Sequence, residues 1–192
     1  MKNRKGLILI ISAPSGTGKS TLIKLLFKRL KGLSFSISRT TRRPRKGERN
    51  GREYFFVSEE VFKKGIKRGE FAEWAKVHDS YYGTPKSCMK KIIDSGRDVV
   101  LDIDVKGALN LHKLYPGAAM IFIAPPSLKE LEKRIRSRNK DSEKSIRTRL
   151  KNARKELKFA DRYGYRVVND KIPRVIKELK SIIKIEREAV NE

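Results

Sequence analysis

The 192-residue chain contains a single cysteine, Cys88, so no disulfide can form within it and a reducing cytosol is the expected location. It has no apolar run long enough to span a membrane as a helix. The apolar run at 7–11 follows a basic start, as in a signal peptide, but it is too short for one. We therefore expect a cytoplasmic protein that has no membrane partner.

Acidic residues are scarce, with 22 Asp and Glu against 47 Lys and Arg, and the net charge is +25. Such a charge attracts nucleic acids, acidic membranes or phosphorylated metabolites. The segment 39–52 has seven Lys and Arg against one Glu, and Pro44 and Gly47 indicate a loop rather than a helix. We expect this loop to bind an anion. No aromatic platform for stacking bases is evident, so a specific nucleic-acid partner is not expected.

Apolar segments alternate with amphipathic ones along the chain. The mainly apolar segments at 7–11, 99–103, 118–124 and 165–168 are typical of buried strands, although Asp102 and Arg166 interrupt the second and the fourth. Helical patterns between them predict an α/β fold, a parallel sheet core flanked by helices. We divide the chain into a core (5–33, 96–126 and 151–190), a small mixed insert (34–84) and a helical lid (127–150). Within the insert we expect strands near Phe35, at 53–57 and at 71–77, and we expect Trp74 and Cys88 to be packing residues.

A glycine-rich turn follows the first apolar run and precedes a helical pattern. Its eight residues form a variant of the phosphate-binding P-loop, in which Ala13 replaces the usual first glycine; they are Ala13, Pro14, Ser15, Gly16, Thr17, Gly18, Lys19 and Ser20. The glycines permit successive N–H groups to surround a phosphate, and the following helix adds its dipole. Lys19 would reach the β- and γ-phosphates of ATP, and the Ser20 hydroxyl would ligate Mg²⁺.

Two carboxylates, Asp102 and Asp104, end the second buried strand. Residues two apart on a strand point the same way, so the pair would face one crevice at the edge of the sheet. A P-loop enzyme needs such a carboxylate near its metal, either directly or through water. Alternatively, Asp104 caps the helix that follows.

Six segments, at 13–20, 38–48, 50–57, 81–84, 101–104 and 168–170, resemble the guanylate kinase family in order and spacing. The similarity is collinear over 5–186 and is to the bacterial, single-domain type. It implies a P-loop kinase with a nucleoside-monophosphate-binding insert and a helical lid. It further implies transfer of the γ-phosphoryl group from ATP to GMP, and to dGMP, with Mg²⁺, giving ADP and GDP in purine nucleotide recycling.

The resemblance also implies residue roles. The GMP-binding residues would be Ser38, Arg42, Arg45, Tyr54, Glu73, Tyr82, Thr84 and Asp104, with Glu73 accepting from guanine N1 and N2. The catalytic cations would be Lys19, Arg42, Arg134, Arg138 and Arg149. Asp102 would join Ser20 at the metal, and Asn169 would lie near the adenine. The chain has Ser137 and Asn139 around Arg138, where the family often has glycines.

Other functions compatible with the sequence are a P-loop kinase for another nucleoside monophosphate or a phosphorylated sugar, a non-catalytic binding module of the same fold, and a basic nucleic-acid binder. Binding modules usually lose the P-loop lysine or glycines, whereas Gly16, Gly18 and Lys19 are present here. The simultaneous presence of Ser38, Glu73 and Thr84 favours guanine. The sequence is compatible with either a monomer or a homodimer.

Overall fold

Nine strands and seven helices make up the part of the chain that the computed structural model describes, residues 5–77, 79–137 and 142–190. The strands are β1 (Ile8–Ser12), β2 (Leu33–Phe35), β3 (Arg39–Thr40), β4 (Phe55–Phe56), β5 (Phe71–Val77), β6 (Ser80–Pro85), β7 (Asp98–Asp102), β8 (Ala119–Ala124) and β9 (Tyr165–Val168). The helices are α1 (Lys19–Arg29), α2 (Glu59–Lys67), α3 (Lys86–Asp94), α4 (Val105–Leu114), α5 (Leu128–Arg136), α6 (Glu143–Leu157) and α7 (Ile172–Ala189), and a 3₁₀ turn spans Ala160–Arg162.

Five strands form a parallel sheet in the order β2-β7-β1-β8-β9. The central strand β1 pairs with β7 on one side and β8 on the other, where Ile10 lies opposite Leu101 and Met120. Parallel strands place their carboxyl ends at one edge, so the P-loop after β1 and the residues after β7 are neighbours. The predicted α/β fold with a parallel core is confirmed.

Both faces of this sheet are covered by helices. Leu9 and Ile11 of β1 pack in a cluster with residues of α1 and α7, such as Leu26 and Leu179. Ile10, between them, faces the opposite cluster, which includes Leu111 of α4. Because both faces are buried, β1 has a continuous apolar run instead of an alternating one.

A second sheet, in the order β4-β3-β6-β5, stands apart from the first. It is mixed, since β3 runs parallel to β4 and antiparallel to β6. The strand expected near Phe35 is β2, which pairs with β7 in the parallel sheet, so its assignment to the insert is wrong. The expected strand at 53–57 is shorter, and the sequence did not predict β3 or β6. In β6, Gly83 and Pro85 are residues that disfavour strands, and pairing along the length of β5 overrides that preference. The expectation that Trp74 is a packing residue is wrong, because 47% of it is exposed.

A buried ion pair joins the last helix to the core. Asp98 has no exposed surface; its Oδ1 accepts from the backbone N–H of Leu7 at 3.0 Å and its Oδ2 from Arg187 Nε at 2.8 Å. Arg187 also donates to the carbonyl of Lys31 at 2.9 Å. These bonds fix the start of β1, the turn before β2 and the C-terminal part of α7 to one another.

None of the described helices is long and apolar enough to cross a membrane.

Candidate active site

The P-loop follows β1 and ends where Gly18 caps α1. Gly16 and Gly18 have φ values of 90° and 98°, in the region that favours glycine. Space is limited as well: a Cβ at Gly18 would lie 2.7 Å from Asn169 Nδ2, and one at Gly16 would lie 2.7 Å from Ile135 Cγ1. Conformation and packing therefore both require glycine at these two positions.

Two predicted site residues hold the backbone of the P-loop. The buried amide of Asn169 donates to the carbonyl of Thr17 at 2.6 Å. Arg134 donates from Nη1 to the same carbonyl at 3.3 Å and from Nη2 to the Asn169 carbonyl at 3.1 Å. Glu130, one turn earlier on α5, orients Arg134 through a 3.0 Å bond. The contact between Asn169 and adenine stays a prediction.

Lys19 forms an ion pair with Asp102 and donates to the carbonyl of Ile103 at 3.3 Å. Both side chains line a cleft of about 430 Å³ together with Ser20 and the rest of the P-loop. The hydroxyl of Ser20 and the carboxylate of Asp102 are hard oxygen donors of the kind that Mg²⁺ prefers. No larger metal cluster supplements them, since the described residues contain no group of three His, Cys, Asp or Glu side chains able to hold an ion.

The expectation that Asp102 and Asp104 share one strand is wrong. Strand β7 ends at Asp102, and Asp104 is the N-cap of α4, where its Oδ1 accepts from the N–H of Gly107 at 2.7 Å. A short polar side chain before a helix satisfies an otherwise unpaired N–H of the first turn. Asp104 therefore starts α4, and the strand has to end before it. Both carboxylates still line the P-loop cleft.

Sequence reasoning missed a third carboxylate in this cleft, Glu156 of α6. Burial raises the pKa of Glu156; the nearby Asp104 raises it further, whereas Lys19 opposes the shift. The available signal was its spacing, because Glu156 follows Arg149 by seven residues and so lies on the same face of α6. Arg149 donates from Nη2 to Ser15 Oγ at 2.8 Å, so this face of α6 borders the P-loop. Arg138 and Asn139 lie outside the described residues.

The predicted guanine-binding side chains meet between the two sheets. Thr84 Oγ1 donates to Glu73 Oε1 at 2.8 Å, and Ser38 Oγ lies 3.5 Å from Thr84 Oγ1. Burial raises the pKa of Glu73, the bond from Thr84 lowers it, and Asp104 raises it again. The structure therefore brings three residues of the insert together with the start of α4.

The two arginines predicted to bind the phosphate of GMP, Arg42 and Arg45, both contact Glu48 in the structure. Arg42 Nη2 contacts both carboxylate oxygens of Glu48 at 2.9 Å, and the backbone N–H of Arg45 donates to Glu48 Oε2 at 2.7 Å. The Arg42 guanidinium also lies 5.7 Å from the ring centre of Tyr54, which makes an edge contact of 5.9 Å with Tyr82. The acidic member of the basic loop thus occupies one terminal nitrogen of the guanidinium that would bind a phosphate, and the other donates to the carbonyl of Arg43.

Burial also raises the pKa of Tyr54. Tyr82 adds to that shift, Arg42 opposes it, and Asp102 on the core strand adds a smaller contribution.

A family model described as guanylate kinase matches residues 5–186. The guanylate kinase of Caldanaerobacter subterraneus subsp. tengcongensis is 47% identical over 184 residues, which cover 96% of this chain and 89% of that protein. The guanylate kinase of Thermotoga maritima is 45% identical, with 97% and 90% of the two chains covered.

Two solved structures resemble the fold. A guanylate kinase from Anaplasma phagocytophilum superposes with a TM-score of 0.75 at 31% identity, over 96% of this chain and 87% of that one. A shikimate kinase from Bacteroides thetaiotaomicron gives a TM-score of 0.50 at 13% identity, over 93% and 98%. The second likeness concerns the fold alone.

Proposed function

The chain belongs to the guanylate kinase family, and from that premise we propose which residues perform each part of the reaction. It is a nucleoside monophosphate kinase that transfers the γ-phosphoryl group of ATP to GMP, giving ADP and GDP. The observation that supports the assignment of GMP most directly is the carboxylate of Glu73, oriented by Thr84 beside Asp104.

Glu73 reads the base. Guanine presents hydrogen-bond donors at N1 and N2, and a carboxylate can accept from both. The bond from Thr84 to Glu73 Oε1 fixes the side chain and leaves further lone pairs for the base. Ser38 supplies a hydroxyl donor near the position expected for O6, Thr84 would donate there only by giving up its bond to Glu73, and the second oxygen of Asp104 can accept from N2. Adenine has an acceptor at N1 and no amino group at C2, so it would leave Glu73 unpaired.

Arg42 and Arg45 bind the phosphate of GMP, assisted by the hydroxyls of Tyr54 and Tyr82. To bind a phosphate through two nitrogens, Arg42 must exchange its present partners, because Nη2 contacts Glu48 and Nη1 donates to the carbonyl of Arg43. The exchange gives Arg42 another anionic partner, while Glu48 keeps the bond from the backbone N–H of Arg45. Arginine suits this role because its planar fork binds a phosphate through two parallel bonds.

Lys19 and the N–H groups of the P-loop bind the β- and γ-phosphates of ATP. Lys19 pairs with Asp102 in the structure, and its transfer to the phosphates releases that carboxylate. We propose that Mg²⁺ accompanies ATP, held by Ser20 and, directly or through water, by Asp102. When bound, the ion neutralises charge between the phosphates. Arg134 holds the P-loop, and Arg149, with Arg138, stabilises the negative charge of a loose transition state.

Closure of the insert and the lid over both nucleotides completes the site. The basic loop at 39–52 and the arginines of α5 and α6 repel one another until anionic substrates bridge them. Closure excludes water and brings the acceptor oxygen in line with the γ-phosphate. Small-angle scattering with a bisubstrate analogue should show a smaller radius of gyration, and an unchanged radius would contradict closure.

We further propose that the protein acts in the cytoplasm, in purine nucleotide recycling, and accepts dGMP. Its substrates are intracellular nucleotides, and its single cysteine suits a reducing compartment. The decisive experiment measures ADP release from ATP and Mg²⁺ with GMP, dGMP, AMP, CMP and ribose bisphosphate in parallel. Activity confined to GMP and dGMP supports the proposal. Comparable activity with AMP or the sugar phosphate would refute the role of Glu73.

A further inference from the structure

A groove runs between α4 and α6 on one face of the central sheet. It encloses about 790 Å³ and is bordered by α4 on one side and by the end of α6 and the 3₁₀ turn on the other. We call it the α4–α6 groove. None of its residues belongs to the proposed GMP or ATP contacts except Asp104, which lies where the groove meets the P-loop cleft.

The rims of the groove carry cations that form no ion pair within the part of the chain that the structure describes. They are Lys106 and Lys113 of α4, Lys155 of α6, and Arg162 of the 3₁₀ turn. No ion pair joins any of the four to a carboxylate among the described residues, whereas Arg174 on α7 pairs with both Asp170 and Glu178. Four facing cations concentrate positive potential in a cleft, and this favours a multiply charged anion.

The floor of the groove is apolar and includes an aromatic ring. Val105 and Leu109 of α4 line it, and Phe159 is 38% exposed at its rim. The guanidinium of Arg162 lies 5.9 Å from the ring centre of Phe159, which holds that ring in place. Nδ1 of His112 is buried and has no hydrogen-bond partner among the described residues. An inorganic polyanion would use the rims and leave this floor uncovered.

We propose that the α4–α6 groove is a second nucleotide site, distinct from the two substrate sites. The phosphate groups contact the rim cations, and the planar base lies over Leu109 and stacks on Phe159. Apolar surface with a few convergent polar groups is the usual composition of a small-molecule site. The volume of the groove accommodates a ligand of this size.

Occupancy of the groove is coupled to the active site through Asp104 and Glu156. Both side chains line the groove and the P-loop cleft, so they form the wall between the two. Asp104 also caps α4, the helix that forms one rim. A ligand that moves α4 relative to α6 therefore shifts carboxylates that face Lys19 and the guanine site, and coupling of this kind is reciprocal.

GTP is the probe, because it has four negative charges and a planar base and is neither substrate nor product of the forward reaction. The protein is first saturated with an analogue that joins adenosine and guanosine through a phosphate chain and fills both substrate sites. GTP binding is then measured by calorimetry and located by amide chemical shifts. We expect one equivalent of GTP to bind, with the largest shifts at 105–113 and 155–162. Tripolyphosphate and guanosine, tested separately, should each bind more weakly.

The groove variant is Lys106→Glu with Lys113→Glu. Its control is Lys24→Glu with Lys28→Glu, which reverses two exposed lysines on α1 and changes the net charge equally. The groove variant should bind GTP about tenfold more weakly, with the control unchanged. At saturating ATP and GMP, GTP should change the rate of the wild type and control but not of the groove variant.

Three binding results would overturn the nucleotide site, and one kinetic result would overturn its coupling to the active site. If GTP does not bind to the protein saturated with the analogue, the site does not exist. If the groove variant and the control lose the same GTP affinity, the binding reflects only the overall positive charge of the protein. Tripolyphosphate binding as tightly as GTP refutes a nucleotide site, because the floor would then contribute nothing. A rate that does not respond to bound GTP would refute the coupling through Asp104 and Glu156.

Discussion

The carboxylates of Glu73 and Asp104 both lie beside the first turn of α4, and the absence of a side chain at Gly107 leaves room for them. A Cβ at position 107 would lie 3.2 Å from Glu73 Oε2 and 3.3 Å from Asp104 Oδ1. Glycine inside a helix costs about 1 kcal/mol relative to alanine. The chain accepts this cost within the first turn of α4, where both carboxylates proposed to read guanine approach the helix backbone.

Gly107→Ala should therefore separate stability from substrate recognition. The added methyl group displaces Glu73 or Asp104 by a few tenths of an ångström, and we expect the KM for GMP to rise about tenfold. The KM for ATP should not change. Thermal unfolding should show equal or higher stability, by up to about 1 kcal/mol, because alanine favours the helix.

Asn110→Ala is the matched control, since it improves helix propensity at an exposed position of the same helix. It should stabilise the protein without affecting the KM for GMP. A Gly107→Ala enzyme with unchanged GMP kinetics would show that the close approach of the two carboxylates is unnecessary.

Glu73→Gln tests the base reader. The substitution keeps the shape of the side chain but replaces one acceptor by a donor, which opposes the donors of guanine. We expect kcat/KM for GMP to fall on the order of 10²-fold, about 2.7 kcal/mol, with the KM for ATP almost unchanged. Glu53→Gln, elsewhere in the insert, is the control. If GMP turnover survives in Glu73→Gln, or if ATP binding falls in parallel, the assignment of Glu73 is wrong.

The raised pKa of Glu73 predicts a pH dependence. Burial favours the neutral acid, so the carboxylate ionises above the ordinary value of 4.5, and only the ionised form accepts from both guanine donors. As the pH falls through the raised pKa, kcat/KM for GMP should decline in the free enzyme. The decline should be much weaker in Glu73→Gln, which cannot titrate there. If kcat/KM for GMP falls equally at low pH in both enzymes, the ionisation belongs to a group other than Glu73.

Lys19→Ala should abolish phosphoryl transfer and leave the fold intact. Its ammonium group lies in an open cleft, and only its contacts with Asp102 and the Ile103 carbonyl are lost. We expect kcat to fall by about 10³-fold or more, because a cation at the transferred phosphates is removed. Lys24→Ala on the exposed face of α1 should retain full activity. Turnover close to that of the wild type in Lys19→Ala would refute the P-loop assignment.

The sequence was sufficient for four of the five strands of the parallel sheet, but it placed the fifth, β2, in the insert and was insufficient for the insert itself. Mainly apolar segments identified β1, β7, β8 and β9 because burial within the sheet leaves a strong local pattern. Strands β3 and β6 left none, since pairing in the second sheet is decided by residues far away in the chain. Asp104 was assigned to the wrong element for a similar reason, because a strand end and a helix cap look alike in sequence.

The same limit applies within the site. The P-loop could be located because its glycines and Lys19 have a fixed spacing. Gly107 has no spacing signal, and the seven-residue spacing from Arg149 places Glu156 on a face of α6 without showing that it lies near Lys19, while Glu48 is one of many charged residues in the basic loop. Three-dimensional contacts were needed to relate them to Arg42, Glu73 and Lys19.

The ion pair between Arg187 and Asp98 should account for a large share of the stability contributed by α7. Asp98 is fully buried, so Arg187→Ala removes a charge partner and leaves the carboxylate in the interior. Removing one partner of a buried pair typically costs about 3–5 kcal/mol. We expect a loss of this size in urea unfolding at pH 7, with kcat/KM unchanged at temperatures where the variant is folded.

Arg174→Ala is the control on the same helix, because Arg174 pairs with Asp170 and Glu178 at the surface. Exposed pairs contribute roughly 0–1 kcal/mol, since water already solvates both charges. The two variants remove the same side chain and differ mainly in the burial of the acidic partner. Equal losses of stability would show that burial of Asp98 does not set the cost. A drop in activity in Arg187→Ala alone would instead show that the C-terminal part of α7 positions the catalytic cleft.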